Sequence, residues 1–311
     1  MVLKDLSGLP AAQREDGHPP VADAQFVEAI AQSWYTKYID DGNAYRSTAV
    51  EGLPYRASYA ALRCDRQLFY AMKGVERPLP NIADAYRMSL GTLVHAGLEP
   101  AIKAAFPSAQ FEVPVDLRTI GVDGSAHADI VTYHDDGKVD AVVEVKTVNG
   151  FGFKSMATNF KGPAQGPRSG HVLQAAMSAL ALDADRVVVA YLSMENLSPT
   201  MSKYGNGDVG RFAAEWHYPK SEYVPIASRE VARLEQMRNM LELDIVPSTW
   251  VHDDEIPEFA YISDPSRGMW VLTDPHNPGT ILDTGRVWFC DYCDFRERCK
   301  SEVEGTPVQV V

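Results

Sequence analysis

The cysteines constrain the fold of this 311-residue chain more than any other feature. Cys64 stands alone near one end, and Cys290, Cys293 and Cys299 form a Cys-x2-Cys-x5-Cys run near the other. A Cys-x2-Cys pair sets two thiolates on one tetrahedral metal or one cluster corner, so Cys290 and Cys293 read as a half-site. Cys299 supplies a third thiolate, and Cys64 is the one cysteine left for a fourth. If the four meet, a bound metal centre ties the two ends of the chain around its middle. Spacing alone leaves zinc and an iron–sulfur cluster both open. The trio sits in a hydrophilic stretch with Asp291, Asp294, Arg296, Glu297 and Arg298, unlike the apolar surroundings of cysteines that only fill a core.

Composition decides between disulfides and metal. Hydrophobic residues make up 45% and charged residues 23%, as in an ordinary soluble globular protein. No apolar run approaches the roughly 18 residues of a membrane span, and no apolar segment follows Lys4 as a secretory signal requires. The expected setting is therefore intracellular and cytoplasmic, where grouped thiols stay reduced and bind metal. A net charge of −13 argues against a non-specific DNA coat protein, while leaving room for a local basic path. No Gly-x4-Gly-Lys-Ser/Thr loop is present, so no ATP motor is expected.

Hydrophobic period divides the chain. Helices are expected over Ala22–Ile39, from a Ser58 cap to about Gly74, over Asp84–Phe106 with a break at Pro100, over Ser169–Leu182 and over Ser228–Leu243. The middle changes to strand period at Phe111–Leu117, Ala126–Tyr133 and Val139–Val148, with Asp136-Gly137 turning the last two into a hairpin. A glycine-rich loop follows from Gly150. The β-branched run Arg186–Leu192 completes a strand–helix–strand crossover on a mixed sheet. A hairpin tip is expected at Tyr204–Asp208 before a strand at Arg211–Tyr218. From Asp244 to Val287 no period is visible, and this stretch is expected to wrap the surface.

Charge interrupts the strand at Val139–Val148. Glu144 and Lys146 are two apart and so share one face, in a run that otherwise reads as central and apolar, where charge is costly unless used. Asp129 on the partner strand can face Glu144 across the hairpin. Carboxylates of this kind suit magnesium or manganese. Such an ion polarises a phosphodiester and acidifies an attacking water, while Lys146 can orient that water or offset charge on the phosphate. His95, with Gly91 one turn before it, and Gln174 on an apolar helix are further candidates.

The residues Gly91-x3-His95-x2-Leu98-Glu99, Asp129, Glu144-Val145-Lys146 and Gln174 together resemble the PD-(D/E)XK nucleases of the RecB/AddB type. Cys64 with Cys290, Cys293 and Cys299, and the run Arg63-Cys64-Asp65-Arg66-x2-Phe69-Tyr70, resemble the subgroup with a four-iron cluster, which includes the CRISPR-associated RecB-like exonucleases. The resemblance implies an α/β, restriction-endonuclease-like core: a mixed central sheet flanked by helices, its ends joined by a four-cysteine metal cluster. It divides the chain into an N-terminal helical extension (1–57), a nuclease domain (58–300) and a tail (301–311). It makes His95, Asp129, Glu144 and the Val145 carbonyl ligands of Mg2+ or Mn2+, and Lys146 the catalytic lysine beside Glu144, Asp129 and Gln174. It makes the four cysteines ligands of a 4Fe–4S cluster, with zinc as the alternative. The family's Gln is commonly followed four residues later by Tyr, and here that position is Ser178.

The expected activity is a metal-dependent deoxyribonuclease, an exonuclease acting on single-stranded ends. A structure-specific endonuclease, or a non-catalytic DNA-binding subunit of the same fold, is the alternative. Lys154, Lys161 and Arg168 are the candidate DNA contacts, and recombination, repair or replication proteins the candidate partners.

Overall fold

The structure is a computed structural model that describes residues 32–33, 35–37, 40, 55–62, 64–75, 77–78, 82–157, 164–194, 212–247, 250–253, 256–264, 269–273, 281–283 and 293–303. Cys290, Lys161 and the expected hairpin tip at 204–208 lie outside these. The chain divides into two compact units, residues 1–46 with 80–90, and residues 47–79 with 91–311. In the first, the described residues of the expected helix at 22–39 are helical, and Gln32 donates to Thr36 one turn on.

The second unit is built on a six-stranded mixed sheet. Its strands are β1 (Tyr55–Arg56), β2 (Gln110–Asp116), β3 (Gly124–Tyr133), β4 (Val139–Val148), β5 (Arg186–Ser193) and β6 (Ala213–Pro219). β2, β3 and β4 form an antiparallel meander, β1 joins β3 in parallel, β5 runs parallel to β4, and β6 returns antiparallel to β5. Gly137 turns β3 into β4 at φ +82°, a left-handed conformation that glycine adopts without strain. A parallel β4–β5 pair needs a crossover, and the connection contains helices α3 (Gly150–Ala157) and α4 (Ser169–Leu182).

Both faces of β4 are covered, which accounts for its apolar run. On one face α4 buries Val172, Leu173, Ala175, Ala176, Met177 and Ala179, most of them in the main core with Val142, Val187, Val189 and Tyr191. This core also takes in α1 (Asp65–Met72) and α5 (Lys220–Glu242). Gly170 lets α4 approach the 3-10 turn Ala57–Ala61, since a Cβ there would lie 2.7 Å from Ala61 Cα. On the other face Leu98 and Ile102, from helix α2 (Ile82–Ala105), pack with Ile130, Val143, Val145, Ala190 and Leu192. The result is the mixed α/β architecture expected of a restriction-endonuclease-like core.

Several local expectations are corrected. Ser58 caps no helix; it lies in the 3-10 turn, and α1 starts at Asp65 with Cys64 as its N-cap residue. Helix α2 runs unbroken through Pro100. Pro100 and Ala96 are both exposed, so water can take the carbonyl that proline leaves without a donor. The first part of the expected glycine-rich loop, Gly150–Ala157, is helical, with Phe153 and Met156 buried one turn apart. Helix α5 begins at Lys220, not Ser228, and includes Pro225. The aperiodic stretch from Asp244 contains strands β7 (Trp250–Asp253), β8 (Ile256–Asp264), β9 (Met269–Thr273) and β10 (Ile281–Asp283), a second, antiparallel sheet. Helix α6 (Arg296–Val303) runs three residues into the expected tail. No helix among the described residues is long and apolar enough to cross a membrane.

Candidate functional site

The site forms where β3 and β4 part. Their ladder runs to Ile130↔Val143, and counting on by one sets Asp129 opposite Glu144. Instead of continuing the ladder, Asp129 Oδ2 accepts the Val145 N–H at 2.8 Å. The Val145 carbonyl lies 3.0 Å from His95 Nε2. Both main-chain groups of Val145 are thus used by side chains of the site, one from β3 and one from α2. His95 Nδ1 and Asp129 Oδ1 are 4.0 Å apart, and both side chains are largely buried. Gly91 is not required for this approach, because a Cβ there would sit 3.6 Å from Thr147 Oγ1, an ordinary contact.

Glu144 is 1% exposed and ion-paired with Lys146, which remains open to solvent at 25%. Burial pushes the Glu144 carboxyl up to about 8; Lys146 opposes this, and Asp129 and Glu112 add to it. For Lys146 burial favours the neutral amine, but Glu144 and Asp129 outweigh it and hold the ammonium above its ordinary range.

Glu112 on β2 is the residue that sequence reasoning missed. One ligand atom each from His95, Glu112 and Asp129 all lie within 4.8 Å of one another. In sequence, Glu112 alternates with Phe111 and Val113 like any solvent-facing strand residue, so no signal distinguished it. His171 and Tyr191 were missed too. His171 Nδ1 is 2.7 Å from the Tyr191 hydroxyl, which also accepts the Arg168 N–H at 2.9 Å. Burial, then the charges of Lys146 and Arg168, push His171 down to about 3, so it is neutral beside Lys146. Tyr191 is the register partner of Lys146 on β5.

The donor set fits a hard divalent ion. Ligand atoms of His95, Glu112 and Asp129 lie within 4.8 Å of one another, and carboxylates with an imidazole are groups that such an ion takes. Three carboxylates share one ammonium here, an excess of negative charge that a cation offsets.

The remaining expected residues that the structure describes lie on α3 and α4. Gln174 is half-buried on α4; its carbonyl accepts from Ser178 Oγ at 3.3 Å, and among the described residues its side-chain amide makes no hydrogen bond. Lys154 is exposed on α3, as is Phe151 on the same helix at 64%. Arg168 is exposed at the N-cap of α4.

Three of the four cysteines converge. Cys64, Cys293 and Cys299 are free thiols. Burial pushes Cys64 up to about 12, and Cys293 and Cys299 are close enough to raise it further. Burial raises Cys293 and Cys299 as well. A thiolate in this place calls for a bound cation, so the residues fit a metal or cluster. The surroundings are braced. Arg233 on α5 donates to Asp65 Oδ1 at 2.8 Å, to the Leu62 carbonyl at 2.9 Å and to Glu230 at 3.0 Å. Arg66 donates to the Pro247 carbonyl at 3.0 Å and lies 3.9 Å from Cys299 Sγ. The Tyr70 hydroxyl donates to Glu302, fastening α6 to α1.

No family model matches the chain, and no curated protein matches it. Among solved structures it is similar to the crystal structure of SSO0001, at 16% identity and a TM-score of 0.44, covering 87% of this chain and 96% of that one. It is also similar to an alkaline exonuclease (LHK-Exo) from Laribacter hongkongensis, at 13% identity and a TM-score of 0.43, covering 69% of this chain and 94% of that one.

Proposed function

We propose that the chain is a divalent-metal-dependent DNA exonuclease, hydrolysing phosphodiester bonds from single-stranded ends, with its nuclease domain over residues 58–300. The observation that carries this reading is the meeting of His95, Asp129 and the Val145 main chain beside a buried Glu144–Lys146 pair. His95 Nε2, Asp129, Glu144 and the Val145 carbonyl would hold Mg2+ or Mn2+. The bound ion would polarise the phosphate and lower the pKa of the attacking water. Lys146 Nζ, kept protonated by its carboxylate neighbours, would orient that water and offset charge gathering on the phosphate oxygens. Asp129 fixes Val145, so that the carbonyl and carboxylates keep their aim through turnover. Gln174 would contact phosphate or water.

Lys154, Lys161 and Arg168 would carry the strand towards the site, with Phe151 as a surface for base stacking. Cys64, Cys290, Cys293 and Cys299 would hold one 4Fe–4S cluster, or zinc in its place, and so tie α1 to the C-terminal segment. The protein would act inside the cell, alongside recombination, repair or replication proteins. Labelled linear and circular single-stranded DNA separate the exonuclease from its endonuclease alternative. The reading expects magnesium-dependent loss of the linear strand alone; efficient cutting of the circle would put the endonuclease in its place.

A further inference from the structure

We infer that Glu112 is a cation ligand of this site, adding a carboxylate from β2 to those of Asp129 and Glu144; the inference rests on the reading of the site as a divalent-metal centre. Position is the first argument. The β2–β3 ladder pairs Phe111 with Ile130 and Val113 with Ala128, so Glu112 falls opposite Asp129. The β3–β4 register sets Glu144 opposite Asp129 from the other side. The three acidic residues therefore share one row across three adjacent strands, with Asp129 in the middle.

Distance is the second argument. Opposed ligands of an octahedral ion with bonds of 2.0–2.1 Å lie about 4.2 Å apart. The ligand atoms of His95, Glu112 and Asp129 already fall within 4.8 Å of one another.

Glu112 is exposed, and among the described residues nothing hydrogen-bonds or ion-pairs with its carboxylate. Glu112 also holds φ at +48°, a left-handed conformation that a glutamate adopts at a cost. Phe111 and Val113, two residues apart, pack into different clusters on the two faces of the sheet, so the left-handed residue Glu112 marks where β2 changes face.

Manganese binding to the metal-stripped full chain, followed by the loss of the free-Mn2+ electron paramagnetic resonance signal, tests this without reference to activity. Glu112→Gln is expected to weaken binding about tenfold or more, the scale on which even outer partners of a metal ligand act. Glu112→Gly, which holds the left-handed backbone without strain, is expected to weaken it equally and covers the case in which Gln disturbs the strand. Asp129→Asn serves as the control. If Asp129→Asn loses manganese while both Glu112 variants bind it as the wild type does, Glu112 has no such role and the metal site stands without it. If Asp129→Asn also binds as the wild type does, the metal-centre reading itself fails, and the role of Glu112 with it.

Discussion

In the proposed reading, Lys146 serves the proton and Glu144 the metal, and substitutions separate the two roles. Lys146→Ala should leave Mn2+ bound but lower the rate of DNA hydrolysis about 10²-fold or more, the range for loss of one preorganised electrostatic group. Single-turnover kinetics at saturating metal check this. His171 bears on stability. Its pKa is about 3 in the fold, down from the ordinary 6.5, because burial and the nearby cations disfavour its charged form. The unfolded chain therefore binds a proton that the folded one refuses. The contribution is fully present above pH 6.5 and is lost as pH falls towards 3, at about 1.4 kcal/mol per pH unit. Denaturation midpoints of wild type and His171→Gln measured between pH 7 and pH 4 should converge as pH falls. Glu144 and Lys146 stood out because charge in an apolar strand is itself a signal, Asp129 because it lies on the partner strand of the hairpin, and His95 through the family resemblance. Glu112 did not: its aim depends on one backbone torsion and on the register with β3, neither of which is written in local pattern.

At the scale of elements, the cysteine-bearing start of α1 is held by a buried ion network on α5. Arg233 is 7% exposed and Glu230 2% exposed, with Asp65 on the guanidinium. Arg233→Ala removes a buried guanidinium from Glu230 and Asp65, which should cost about 3–5 kcal/mol in urea unfolding. Gly170→Ala tests the seat of α4: a methyl 2.7 Å from Ala61 Cα must push helix and turn apart, at about 1–3 kcal/mol. Elements with a clear period were legible to within a few residues, as with β4 and α4. Helix α3 was hidden by its glycines, although Phe153 and Met156 at helical spacing were the available clue. Strands β7 to β10 were hidden because prolines and aspartates broke the alternation. The start of α5 was missed because its N-cap residue is Pro219, with no hydroxyl or carboxylate to announce it.

In the proposed reading, the whole molecule would join a hard-ligand site in the middle of the chain to a soft-ligand cluster drawn from its two ends. The cysteines would then govern integrity and the carboxylates chemistry. Cys64→Ser should lower the thermal midpoint and the bound iron together, read by calorimetry and by iron and sulfide analysis, without altering which metals support hydrolysis. The mixed sheet was foreseeable from the order of periods. The grouping of His95 and Asp129 around Val145 was implied by the resemblance, but the bond from the Val145 N–H to Asp129, which arises where one ladder parts, was not. The most direct test of that grouping is nucleotide release from end-labelled linear single-stranded DNA by the wild type and by Glu144→Ala, with magnesium and with chelator. The account predicts release by the wild type in magnesium alone, and none by a variant whose fold and cysteine-site spectrum are unchanged. Wild-type rates from Glu144→Ala, or cutting in chelator, would contradict it.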